Sequence, residues 1–216
     1  MQNTLLVNRR KFVRDYPWRN SITPYRIMIA EFMLQRTRAD QVAPVYKTFI
    51  TEFPSIKFLA KARTREVSRY TKHLGIHWRA RHFIKSSRFV VREYGGRIPS
   101  RRDKLLSIPG VGEYVAGAIL TTAFQKREWV IDSNIARFLN RIYGWKLQGE
   151  IRRKQRIIVA AKKFFDYKDP RKLLFCLLDF TALICSPSKP HCYECPVRKE
   201  CKYGNKTKSL SRNLSE

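Results

Sequence analysis

Four of the five cysteines fall in one short stretch, CSPSKPHCYECPVRKEC, with the spacing Cys185-x6-Cys192-x2-Cys195-x5-Cys201. Such crowding inside an intracellular chain argues for metal ligation over disulfide pairing. Four-cysteine zinc sites are commonly built from two short knuckles separated by a longer spacer. A single compact loop has instead to wrap its thiols around a larger body, and a cubane [4Fe-4S] cluster suits that better. A zinc ion and unligated thiols are the alternatives. Four thiolates around such a core carry a net charge of about −2, so the group serves as a folding staple more than as a charge device. The fifth cysteine, Cys176 in LLFCLLDF, reads as core.

Outside that loop the pattern is helical. Apolar residues recur three and four apart over Tyr25–Leu34, Val42–Phe53, Phe83–Tyr94, Tyr114–Phe124, Ile135–Tyr143, Ile157–Phe165 and Leu173–Ile184, and no long stretch alternates strictly. Breaks at Thr23-Pro24, Phe53-Pro54, Gly95-Gly96, Pro109-Gly110, Gly149 and Asp169-Pro170 suit helices of about ten to fourteen residues. An all-α fold is predicted, and 216 residues with 44% hydrophobic content supply a real core. Lys and Arg number 45 against 17 Asp and Glu, a formal charge of +28 spread along the chain. That much charge repels itself unless a polyanion is expected, and nucleic acid is the commonest one; a merely soluble basic protein is the other reading. No run approaches the roughly 18 apolar residues of a membrane span, and the N-terminus lacks the apolar core of a secretory signal, so an intracellular location is expected. Lys189, Arg198 and Lys199 sit on the cysteine loop, either held toward phosphates or solvated. The segment from Lys202 reads as a loose tail.

Residues 107–119 read SIPGVGEYVAGAI. Gly110 and Gly112 let the backbone turn tightly and leave amide N–H groups bare at a helix start, where an anionic oxygen can approach without meeting a Cβ. A plain helix corner with a glycine cap is the alternative. Ala116, Gly117 and Ala118 allow close packing on a first helix lined by Leu105, Leu106 and Ile108. In VIDSNIARFLNR, Asp132 precedes a helix beginning near Ser133, where the dipole and free N–H groups favour its ionised form; it is otherwise a simple N-cap. Asn134 holds Asp132, holds a phosphate, or caps the helix. Glu31 interrupts IMIAEFML, with Ile27, Met28 and Leu34 at helical spacing, and a half-buried carboxyl there suits a proton donor.

LLSIPGVGEYVAGAI, VIDSNIARFLNR, the cysteine loop and, upstream, PWR with PYRIMIAEFMLQRT run in order from Pro17 to Cys201. Together they resemble the endonuclease III and MutY superfamily of DNA glycosylases, the helix-hairpin-helix group with an iron-sulfur cluster. The resemblance implies two helical lobes: a six-helix barrel with the hairpin over 22–126, and a cluster lobe formed by 1–21 and 127–216, with the active cleft between them. It implies a monomer that flips a mismatched or damaged base out of double-stranded DNA in the cytoplasm of a prokaryote of archaeal type. Gly110 and Gly112 would grip the DNA backbone. Asp132 would stabilise the positive charge that builds on the deoxyribose or steer water, and Glu31 would protonate the leaving base or position the water. Strand-cleaving members carry a lysine at the position of Tyr114, whose amine forms a Schiff base with the sugar. A phenol cannot, so the resemblance implies a monofunctional enzyme that releases an abasic site. Tyr114 would line the base pocket or touch the sugar-phosphate, or else pack between helices.

The substrate expected is thymine or uracil opposite guanine. In LQRT, Gln35 is followed by Arg36, where MutY-like enzymes have the glutamine that wedges into the duplex, and an arginine resembles the mismatch enzymes. Position 133 is serine in place of their usual glycine, and the chain stops soon after the cysteines, without a further domain for reading 8-oxoguanine. Arg36 would fill the vacated gap or hydrogen-bond the widowed guanine. His77 and Trp78 resemble a second intercalating loop, with Arg79 and Arg81 as phosphate contacts. The alternatives are a MutY-like adenine glycosylase acting on G·A or 8-oxoguanine·A, an endonuclease III-like pyrimidine glycosylase and lyase, and a DNA-binding module without catalysis. The pairing of Glu31 with Asp132 argues against the last.

Overall fold

The computed structural model describes residues 1–75 and 80–205. Among them the regular structure is helical, with no strand: α1 (Gln2–Val7), α2 (Pro17–Asn20), α3 (Pro24–Leu34), α4 (Ala39–Glu52), α5 (Ile56–Lys61), α6 (Thr64–Thr71), α7 (Ala80–Tyr94), α8 (Arg102–Leu106), α9 (Glu113–Thr122), α10 (Ser133–Ile142), α11 (Gln155–Phe165) and α12 (Pro170–Leu183). The chain divides into a central unit, Asp15–Phe124, and a terminal unit that joins Met1–Arg14 to Gln125–Glu216. No described helix is long and apolar enough to cross a membrane.

In the central unit α3 is the axis. The Thr23 side chain accepts from the Arg26 amide at 3.2 Å, and Pro24 opens the helix with its φ already set. Tyr25 and every residue from Ile27 to Met33 are buried, Glu31 among them. A helix apolar on all sides can only sit inside, and α4 and α9 pack on it. The longer α7 is one-sided. It buries Phe83, Ile84 and Val90 against α5 and α6, and the Phe83 ring lies 5.4 Å from Phe32 and 5.6 Å from Phe49. Residues 15–21 belong here and not with the terminal unit, and the unit closes at 124, not at 126. Trp18 is the reason: it stacks on Tyr16 at 4.8 Å and meets Tyr46 edge-on at 5.5 Å, while the Tyr16 hydroxyl donates to Asp40 at 2.9 Å.

The terminal unit packs α10, α11 and α12 around Phe138, whose ring lies 5.6 Å from Phe164 and 5.7 Å from Phe180. Asp179 of α12 is fully buried and accepts from the Arg14 amide and from Arg14 Nε, each at 2.9 Å. A buried carboxylate is tolerable only with such a partner, so this pair pins the N-terminal segment to α12. Cys176 is core, as expected: its Sγ donates to the Leu5 carbonyl at 3.5 Å, and burial pushes its pKa up to about 12.

Candidate functional site

The central unit carries the hairpin and the wedge residues. The short α8 runs into the turn, where the Ile108 amide donates to Leu105 and the Val111 amide to Ile108, and then α9 begins. The Ser86 hydroxyl donates to the Pro109 carbonyl, and Arg102 Nη1 donates to the Glu113 carboxylate at 2.8 Å, so α7 and α8 both brace the turn. The two glycines differ. Gly110 has φ +83°, the left-handed region where a side chain is strained. Gly112 is extended backbone at φ −98°, and a Cβ there would meet nothing within 4 Å, so neither the turn nor internal packing demands it. That narrows the sequence expectation, which gave both glycines to the bend. Gly112 is the N-cap of α9 and supplies no side-chain cap, so no capping side chain answers the first amides of α9. Tyr114 follows in the first turn, half-buried against the core. Of the residues expected to line the first helix, Leu105 and Ile108 are buried but Leu106 points outward, 37% exposed.

Glu31 is 9% exposed on α3, next to Phe32, whose ring would lie 3.6 Å from a Cβ at Gly110. At the end of the same helix Gln35 is exposed, and Arg36 takes φ +59° in a turn closed by the Thr37 amide on the Leu34 carbonyl. A left-handed arginine is held at a cost of about 1–2 kcal/mol, and strain of this kind gathers where a side chain must project in one direction. Arg81 is exposed in the first turn of α7. His77, Trp78 and Arg79 lie outside the described residues.

The terminal unit carries Asp132, Asn134, Lys189 and the cysteines. Asp132 is the N-cap of α10: its carboxylate accepts from the Ile135 amide at 2.7 Å and from Asn134 Nδ2 at 3.3 Å. These bonds favour the ionised form, as expected, but burial opposes them and is the larger effect. The residue retains some surface, but its carboxylate is enclosed, and desolvation raises its pKa against the opposing pull of Ile135, Asn134 and the Arg137 charge. Asn134 is itself positioned, since Arg137 Nη1 donates to Asn134 Oδ1 at 2.8 Å. The same guanidinium donates from Nη2 to the carbonyls of Thr181 and Cys185, both at 2.8 Å. Arg141, one turn on, donates to the carbonyls of Ser186 at 2.6 Å and Pro187 at 2.7 Å. The helix that Asp132 caps is thereby stitched to the start of the cysteine loop. Sequence reading missed both arginines; their four-residue spacing in IARFLNR was the available signal.

Cys185, Cys192, Cys195 and Cys201 line one cavity, with Phe138 and Phe180 in its wall. Among the described residues no three His, Cys, Asp or Glu side chains gather tightly enough for a single metal ion. Burial pushes the Cys195 thiol up to about 12 and raises Cys201 as well. Positive groups surround them: Arg141 Nη1 lies 3.5 Å from Cys185 Sγ, the Gly204 amide donates to Cys201 Sγ at 3.3 Å, and Arg198 buries Nε and Nη2 with no hydrogen-bond partner among the described residues. Spread thiols, apolar walls and unanswered donors fit an anionic body larger than one ion. Lys189 is exposed on a turn that the Ser186 hydroxyl closes by donating to the Lys189 carbonyl at 2.6 Å.

Residues 29–164 match the HhH-GPD superfamily of base excision DNA repair proteins. The chain is 37% identical over 196 residues to a thymine-DNA glycosylase of Aeropyrum pernix, covering 89% of this chain and 88% of the relative. It is 33% identical over 194 residues to a thymine/uracil-DNA glycosylase of Methanothermobacter thermautotrophicus, with the same 89% and 88% covered. The solved structure of a thermostable thymine-DNA glycosylase, 32% identical, superposes with a TM-score of 0.87 over 95% of each chain. A helical fold with a glycine-bent corner before α9 and a capped aspartate before α10, matched at this identity over this length, makes the chain a member of the HhH-GPD superfamily of base excision DNA repair proteins.

Proposed function

We propose that this protein is a monofunctional DNA glycosylase, acting as a monomer on double-stranded DNA, that flips out thymine or uracil mispaired with guanine and hydrolyses its N-glycosidic bond. The observation that carries the reading is Asp132: an enclosed carboxylate, fixed by a backbone amide and an asparagine that is itself fixed. When the bond from C1′ to the base breaks, its electron pair leaves with the base and positive charge develops on the sugar. A preorganised carboxylate in a desolvated setting stabilises that charge far more than water does, and removing such a group costs about 10²–10³ in rate. Water then adds at C1′ and gives up a proton. Glu31, buried in an apolar helix, is the group suited to protonate the departing base or position the water. Tyr114 stands where a strand-cleaving enzyme needs an amine, so the product is an intact abasic strand.

A mispaired base is already cheaper to unstack, which gives a flipping enzyme its first selectivity. The bare amides at Gly112 take a backbone phosphate, and Arg36, with Gln35 beside it, fills the gap or reads the widowed guanine. Arg81 and Lys189 add phosphate contacts. The choice of thymine or uracil rests on the named activities of the relatives above together with Arg36 and Ser133. Cys185, Cys192, Cys195 and Cys201 hold a [4Fe-4S] cluster, which supplies the cross-link that folds their loop. The deciding assay incubates the protein with duplexes carrying G·T, G·U, G·A and 8-oxoguanine·A and splits abasic sites with alkali. Cleavage after alkali at G·T and G·U is expected. Release of adenine alone, or of no base, overturns the proposal.

A further inference from the structure

The segment joining α10 to α11 has no part in the roles given so far, yet it is dense in charge: Lys146, Arg152, Arg153, Lys154 and Arg156 stand against one acid, Glu150. It is also rigid by construction. Tyr143 stacks on Trp145 at 4.6 Å with the rings 17° from parallel, and the Arg156 guanidinium lies 5.4 Å from the Trp145 ring centroid. Asn140 of α10 holds Leu147 in both directions, its Nδ2 donating to the Leu147 carbonyl at 3.2 Å and its Oδ1 accepting from the Leu147 amide at 3.3 Å. A 3-10 turn at Ile151–Arg153 then packs on both α10 and α11. Glu150 accepts from Arg152 Nε at 2.7 Å, from Nη2, and from the Arg152 amide at 3.3 Å. This pairing draws the Glu150 pKa down to about 2. It fixes the plane of the guanidinium and leaves Nη1 without a partner among the described residues. Arg152 lies close enough to Asp132 to feel its charge.

Neighbouring like charges repel, and holding them fixed raises that penalty unless an array of anions meets them. Fixed donors also lose less freedom on binding than waving ones. We propose that residues 146–156 form a second phosphate-binding element, which holds the backbone of the DNA strand that presents its nucleotide to Asp132, with Arg152 and Arg153 as the main contacts. The proposal rests on the glycosylase reading for its choice of strand. The test is the affinity for a duplex with a G·T pair, measured by fluorescence anisotropy at several KCl concentrations. Each lost phosphate contact lowers the slope of log affinity against log salt by about 0.9, so Arg152→Gln with Arg153→Gln should flatten it by about 1 to 2. Lys162→Gln with Lys163→Gln removes the same charge from the exposed end of α11 and should leave the slope alone. Arg152→Lys with Arg153→Lys, which keeps the charge, should restore most of it, and melting curves establish that all variants fold. Equal slopes for the two Gln pairs overturn the proposal. Failure of the parent protein to release a base is a separate result that removes the glycosylase reading, while the slopes still decide whether this loop touches phosphate.

Discussion

In the role proposed for it Asp132 must be charged, yet it is enclosed where charge is costly, and the conflict leaves two marks. Only the ionised form can stabilise a positive sugar, so the single-turnover excision rate should rise with pH through a pKa above the ordinary carboxylate value, as rapid-quench measurements across pH would show. The second mark is on stability. A folded-state pKa raised above the unfolded one means the native state binds the proton more tightly, so stability falls as pH climbs from the ordinary carboxylate range through the raised value. Asp132→Asn keeps a good N-cap and removes the charge. It should lower excision by about 10²–10³ while melting higher than the parent, by a margin wider at about pH 8 than at about pH 5. A variant that loses activity and stability together would point to a structural cap instead. Tyr114 offers the converse test, because it occupies the first turn of α9, the place at which the proposed reading puts the amine of a strand-cleaving enzyme. Tyr114→Lys should gain a borohydride-trapped adduct with an abasic duplex that the parent does not form, visible as a shifted band on a denaturing gel.

At the level of elements the hairpin separates what the fold needs from what the ligand needs. Gly110 is required by its backbone, but Gly112 answers to nothing inside the protein. Serine is a better N-cap than glycine, so Gly112→Ser should hold or slightly raise stability, by up to about 0.5 kcal/mol, while adding bulk over the bare amides. Duplex affinity should drop at least tenfold; unchanged affinity would mean that the phosphate sits elsewhere. Much of this was legible beforehand. The seven apolar-periodic segments all proved to be helices within a few residues, and Cys176 and Glu31 fell inside as the spacing required, because periodicity reports the buried face directly. The short α5 and α6 carry too few turns to show a period. Arg137 and Arg141 were hidden for another reason: a helical pattern marks the face that packs, while their partners are loop carbonyls more than forty residues away. The bonds that favour the charged form of Asp132 were legible because its local cap is written in the sequence, while the desolvation that outweighs them is not.

Taken whole, the molecule balances two features that internal contacts do not resolve. The four cysteines line one cavity beside the Arg141 and Arg198 guanidinium groups, an arrangement that suits the anionic cluster proposed above. Purified protein should therefore contain about four irons per chain, and Cys195→Ser should lose the metal and melt lower, read by elemental analysis alongside calorimetry. The second feature is the charge of +28. Several of the ion pairs join near neighbours on the surface, such as Arg92 with Glu93, Arg101 with Asp103 and Arg152 with Glu150, and exposed pairs of that kind contribute little. Self-repulsion is thus left standing, and salt screens it over about 8 Å at physiological strength. Raising KCl from about 0.05 to about 0.5 M should increase the melting temperature of the free protein. The same change should weaken its hold on duplex DNA by orders of magnitude, since salt competes with every phosphate contact. The two responses have opposite signs and one origin. A melting temperature that falls with salt would mean that attraction between surface charges, and not a surplus waiting for a polyanion, governs this protein's electrostatics.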